Sequence, residues 1–190
     1  MDLGSGLGHD NILNESHLDS HADTCAGGSN FVLMDPTQID GYVDVAPFSD
    51  EYSPLQDIPV ATCVTAWTNP DSGKVFLLVF GQMLYFGDKL SHSLLCPNQM
   101  RANGLTIHNT PTQFDSSLSH SITVHRSDTD VVLALVMKGV ASMFESRVPI
   151  KLLSKPNKTV ADNPIKSRPT DTYIAHLCQL SHLLSQLERD

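Results

Sequence analysis

No stretch of this chain stays apolar for the roughly 18 residues that a membrane-crossing helix requires, so no membrane span is expected. Basic residues are scarce: 12 Lys and Arg stand against 21 Asp and Glu, for a net charge of −9. Neutralising phosphates takes clustered cations, so nucleic acid is not an expected partner. The four cysteines, Cys25, Cys63, Cys96 and Cys178, lie far apart and form no CxxC pair. That spacing argues against a structural zinc site and fits reduced thiols. The opening Met1-Asp2-Leu3-Gly4-Ser5-Gly6-Leu7-Gly8 has neither the basic region nor the apolar core of a secretory signal. A cytoplasmic location is expected. No internal repeat and no GxSxG elbow is found.

What remains is globular in kind. The chain has 190 residues, 41% apolar and 17% charged, enough for one domain with a real core. Residues 1–14 are Gly- and Asn-rich and are expected to be disordered. A folded domain is expected over 15–150, a Lys-, Pro- and Asn-bearing linker over 151–169, and a C-terminal helix over 170–190. The helix rests on Tyr173, Leu177, Leu180, Leu184 and Leu187, which repeat at spacings of four and three, with Thr170 or Asp171 as its cap.

Between those ends the pattern is mainly β. Phe31-Val32-Leu33-Met34 and Gly41-Tyr42-Val43-Asp44-Val45 read as strands. The strongest hairpin joins Pro59–Thr68 to Lys74–Phe80 through Asn69-Pro70-Asp71-Ser72-Gly73, a run of turn-forming residues. Pro97 at an early helical position and Gly104 beyond the end mark one short helix near 97–103.

The chemistry-bearing motif is Asp19-Ser20-His21-Ala22-Asp23-Thr24, preceded by Leu18 and followed by the small residues Cys25-Ala26-Gly27-Gly28-Ser29. Further on comes Met83-Leu84-Tyr85-Phe86-Gly87-Asp88, then Leu94-Leu95-Cys96-Pro97-Asn98-Gln99-Met100, then Asn103-Gly104 and a strand. Together with Gly139-Val140-Ala141-Ser142-Met143-Phe144-Glu145-Ser146-Arg147, this order resembles the retropepsin-like aspartic protease segment of copia-type LTR retrotransposon polyproteins. The likeness covers roughly residues 17–150.

The resemblance implies a small closed β-barrel and a peptide or polyprotein substrate, with no cofactor and no metal. Asp19 would be the catalytic carboxylate. Ser20 would bond across a dimer axis, Ala22 would pack beneath the loop, and Asp23 would position substrate backbone or brace the loop. Asn69, Pro70, Asp71, Ser72 and Gly73 form the candidate flap. Leu94 and Leu95 would make an apolar floor. Hydrolysis of this kind uses two carboxylates sharing one proton. No second Asp-Ser-x-Ala occurs between residues 30 and 190, so the resemblance implies a homodimer with two copies of Asp19 at its axis.

His21 stands where the family has Gly. A neutral imidazole there crowds the substrate channel, and a protonated one favours ionisation of both carboxylates. Two other readings stay open. One is a noncatalytic dimeric binding module. The other is a metal site built from His17, Asp19, His21, Asp23 and Cys25, which would share one face of a strand.

Overall fold

The computed structural model describes residues 13–46, 51–127, 129–149 and 172–178. The chain is mainly β. Its strands are β1 (Asn14–Leu18), β2 (Ala26–Gly27), β3 (Val32–Leu33), β4 (Ile39–Val45), β5 (Leu55–Thr68), β6 (Val75–Tyr85) and β7 (Ser93–Leu95). After a short helix, α1 (Pro97–Ala102), come β8 (Thr106–His108), β9 (Ser121–Val124), β10 (Val131–Ala134), β11 (Val136–Lys138), β12 (Ala141–Ser146) and β13 (Thr172–Cys178). No helix among the described residues is long and apolar enough to cross a membrane.

The long pair β5 and β6 is the frame. Both are rich in β-branched and aromatic residues, which suit a pleated, half-buried surface. Their turn closes as its residue types dictate. The Asn69 side-chain oxygen accepts hydrogen bonds from the Asp71 and Ser72 amides, and Gly73 takes a positive φ of 66°. Trp67 pairs with Phe76 across the ladder, their rings 5.7 Å apart, so Trp67 serves the hairpin's packing.

Neighbours then fill both edges of the frame. On one edge of β6 run β13 and β2, both parallel to it. Along the other edge of β5 lie β4, then β3, then a single bridge from Ala66 to Arg147. Beyond β2 the order continues β7–β1–β12–β11, with β1 parallel to β7 and antiparallel to β12. A separate sheet, β10–β9–β8, packs through its apolar face: Val131 and Leu133 point inward while Val132 and Ala134 face out. One core joins both sheets through Phe31, Phe80, Leu95, Met100, Ile122 and Leu133.

Two expectations are corrected here. A closed barrel is not found: among the described residues no strand ladder joins β12 to β5, which meet at the single Ala66–Arg147 bridge and through the Thr65–Ser146 and Arg147–Thr68 side-chain bonds. The expected C-terminal helix does not form where the structure describes it: Thr172–Cys178 is a strand laid along β6, with Leu177 buried in the core. A two-heptad stripe has little helical stability by itself. An open strand edge offers each backbone group a partner, and tertiary context overrides the periodicity. The rest of the 170–190 segment, the 151–169 linker and residues 1–12 lie outside the described residues. The short helix forms as expected, with Pro97 in its first turn and the Cys96 sulfur accepting a hydrogen bond from the Gln99 amide.

Candidate functional site

The Asp19 loop leaves the end of β1, where Leu18 pairs with Leu95 of β7. The Asp19 amide extends that ladder by one step, donating to the Leu95 carbonyl at 2.9 Å. The chain then turns. The Ala22 amide donates to the Asp19 carbonyl at 3.3 Å, and the His21 amide donates to Asp19 Oδ1 at 2.9 Å. A short Asp side chain bonding its own backbone two residues on stabilises a turn of this kind. The Asp19 carboxylate stays open to solvent, its side chain 39% exposed.

His21 sits at the crest, 96% exposed, with Nδ1 3.9 Å from Asp19 Oδ1 and 3.4 Å from Ser20 Oγ. Among the described residues only Asp57 and Gln82 are non-glycines with positive φ, so position 21 needs no glycine backbone. Ala22 packs against the core, and Leu94 and Leu95 lie beside the loop's start, with Leu95 fully buried. The sequence-marked loop and its apolar floor are therefore neighbours.

The loop's return is held by side chains that the motif does not include. The Cys25 amide donates to Gln99 Oε1 at 2.8 Å, and the Leu84 amide donates to the Cys25 carbonyl. The Cys96 amide donates to the Cys25 sulfur at 3.2 Å. Gly28 comes so close to the chain after it that an added Cβ would stand 2.4 Å from the Leu90 carbonyl oxygen. Only glycine fits there.

Below the loop lies a buried polar node. Asn30 donates to Ser16 at 2.9 Å and to Ser146 at 2.8 Å, and accepts from Ser93 at 2.6 Å. Ser93 accepts from the Gly28 amide, and the Thr65 hydroxyl lies 2.9 Å from Ser146. The node thus ties β1, β7, β12 and β5 at one point. Among the described residues no buried side-chain nitrogen or oxygen lacks a hydrogen-bond partner. A satisfied network of this kind rigidifies what stands on it.

Beside the loop's far end opens a groove of about 800 Å³. Asp23 and Thr24 line it from the loop, Gln82 and Gln99 from β6 and α1, and Val43 and Val60 from the β4–β5 hairpin. The Asn69–Gly73 turn does not line it. Pro70 lines a different hollow with Trp67 and Phe144. Residues 61–68 of β5 lie between Val60 and Asn69, and at about 3.3 Å per step they place the turn up to roughly 30 Å away along the strand. The hairpin over the groove is β4–β5. Its signal was the alternation of Gly41–Val45; its second strand starts at Leu55, four residues before the Pro59–Thr68 run expected from the sequence. Gln99 stands in the Leu94–Met100 run on which the resemblance rests, whereas Asn30 carried no signal beyond its polarity next to an apolar run.

The odd-numbered series from His17 to Cys25 does not share a face, because the chain turns at Ser20 and His21. His21 ends at the surface and Cys25 in the core. Among the described residues no three His, Cys, Asp or Glu side chains are grouped to hold a metal ion. Cys63 is no nucleophile either: burial pushes its thiol up to about 12.

Comparison of the chain with family models, with curated proteins and with solved structures finds no match.

Proposed function

We propose that this chain is an aspartic-endopeptidase-like domain of the retropepsin kind, working as a homodimer in which each copy contributes one Asp19. The seating of Asp19 carries the reading. A half-exposed carboxylate stands on a turn whose backbone is locked to β7, next to a satisfied polar node, and the same loop lines a groove of about 800 Å³ through Asp23 and Thr24. Two such carboxylates brought together share one proton and titrate as a pair. The ionised one takes a proton from water, and the water oxygen attacks the peptide carbonyl carbon. The protonated one gives its proton to the carbonyl oxygen. Collapse of the tetrahedral intermediate breaks the C–N bond and passes a proton to the leaving amine. The β4–β5 hairpin, rather than the Asn69–Gly73 turn, is the element that would close over the peptide and exclude water.

A second reading, a dimeric binding module without hydrolysis, is favoured by His21. Its imidazole stands at the crest where the partner's loop would arrive, and when protonated it favours two ionised carboxylates.

The test is hydrolysis of a mixed peptide library between acid and neutral pH by the native protein and by Asp19→Asn, with and without a chelator. The protease reading expects cleavage that disappears in Asp19→Asn and ignores the chelator. A folded dimer that cleaves nothing sustains the binding module. Cleavage abolished by the chelator replaces both with a metal-dependent reaction.

A further inference from the structure

The first 73 residues hold twelve Asp and Glu and not one Lys or Arg; the first cation in the chain is Lys74. The fold brings this one-signed stretch to the groove from two directions. Asp23 enters from the Asp19 loop and Asp44 from β4, and both residues are exposed. Every other residue lining the groove is uncharged. Among the described residues neither carboxylate has an ion-pair partner. Asp44 Oδ1 accepts from the Asp57 amide at 3.1 Å, a bond that steadies the side chain and leaves its charge in place. Arg101 of α1 lines no part of the groove, and its guanidinium donates to the Ile107 carbonyl, Asn109 and Asn98. Like charges on the walls of a cleft focus the field there and draw in cations.

The apolar part of the lining decides what form the cation takes. Val43 and Val60 of the β4–β5 hairpin and Leu84 of β6 share the groove with the two carboxylates. A bare metal ion gains nothing from such surface, and among the described residues no three ligating side chains are grouped to hold one. Lys and Arg do gain, because their methylene stems lie along apolar walls while the charged head reaches for a carboxylate. At about 800 Å³ the space lies in the range that takes a drug-sized ligand, so it holds several peptide residues rather than one side chain.

We infer that this groove selects peptides carrying a lysine or arginine, whose charged head is taken by Asp23 and Asp44. The inference rests on the aspartic-protease reading of the same site and adds the chemistry of its substrate. Asp23 and Asp44 are specificity residues in it, and neither takes part in the proton transfers assigned to Asp19. A glutamate or aspartate at the same place in the peptide is repelled.

Affinity selection from a random decapeptide library tests this, the retained peptides being sequenced. The selection is run on the full chain in the Asp19→Asn background, so that bound peptides stay whole. To that background are added Asp23→Asn, Asp44→Asn or the control Asp88→Asn. Asparagine keeps the shape of each side chain, including the oxygen that accepts from Asp57. Asp88 is exposed and lines no part of the groove. Circular dichroism verifies that each variant folds. The expected result is Lys and Arg enriched about fivefold at one peptide position, the scale of an exposed charge pair, with Asp and Glu depleted there. The enrichment falls toward that of the starting library in Asp23→Asn and in Asp44→Asn, holds in Asp88→Asn, and shrinks as salt is raised. Retained peptides without a basic preference overturn the inference, as does a preference indifferent to both groove variants. Failure to retain any peptide overturns it too, and Asp44-dependent binding of spermine in that case makes the groove a polyamine site. Cleavage by the chain with native Asp19 separates the two proposals. Asp19-dependent cleavage of peptides with no basic residue keeps the protease and discards the preference. Basic peptides held through Asp23 and Asp44 but never cut keep the preference and discard the protease.

Discussion

The underside of the Asp19 loop and its crest are built on opposite principles. Beneath, Asn30, Ser16, Ser93, Ser146 and Thr65 are buried, uncharged and joined in one hydrogen-bonded node spanning strands far apart in sequence. Above, Ser20 and His21 stand in solvent, held by little beyond the turn itself. The difference separates two tasks. Neutral amides and hydroxyls can be buried at small cost when every group is paired, so they set position. The Asp19 carboxylate, to which the proposed function gives proton transfer, stands 39% exposed to solvent.

The contrast breaks most readily at Asn30. Asn30→Leu removes three hydrogen bonds to the buried Ser16, Ser93 and Ser146 hydroxyls and leaves them only their contacts with one another, the Gly28 amide and Thr65, so we expect a loss of about 3 kcal/mol in urea unfolding. The matching change above, Asp19→Asn, should move stability by no more than about 0.5 kcal/mol while removing any cleavage. Equal losses at the two sites would mean that the loop is itself a structural element.

A smaller effect is expected at Gln99, which belongs to neither layer. Gln99→Ala takes the acceptor from the Cys25 amide, at a cost of about 1 kcal/mol. Amide hydrogen exchange at Cys25 should quicken while exchange in β9 and β10 stays unchanged. Unaltered exchange at Cys25 would show that Cys96 and Leu84 suffice to hold the loop's return.

The smallest effect is a pH dependence from a group outside both layers. Burial holds the His120 imidazole below its ordinary value of 6.5, against the raising pull of a hydrogen bond with the Leu135 backbone. The unfolded chain therefore binds the proton first as pH falls. Stability is full above about pH 6.5 and declines as pH drops from there through the folded value. Urea midpoints at pH 7 and pH 5 should differ less in His120→Asn than in the native chain. An identical slope in both would assign the acid sensitivity elsewhere.

Much of this was legible before any coordinates. The Asn69–Gly73 turn and the short helix behind Pro97 follow from rules acting over a few residues: a side-chain oxygen capping its own turn, a ring that fixes φ, a glycine at positive φ. The same local rules misread the tail. Tyr173 and Leu177 suit a helical seam as well as a strand, and over Thr172–Cys178 the decision fell to the open edge of β6. The flap was expected at the tight Asn69–Gly73 turn from the resemblance alone, and the groove beside Asp23 and Thr24 is lined instead by residues of the β4–β5 hairpin.

The sequence by itself therefore determined the β character of the chain, its tightest turns and the presence of one candidate carboxylate in a turn of small and polar residues. Those properties depend on side-chain shape and backbone preference between near neighbours. Only the tertiary structure decided that Asn30 would meet Ser146 from 116 positions away, that β13 would be a strand, and that Asp23 and Asp44 would line one groove. Each of these is a pairing between distant segments, and its free energy exists only once the sheet has brought the partners together and excluded water from between them.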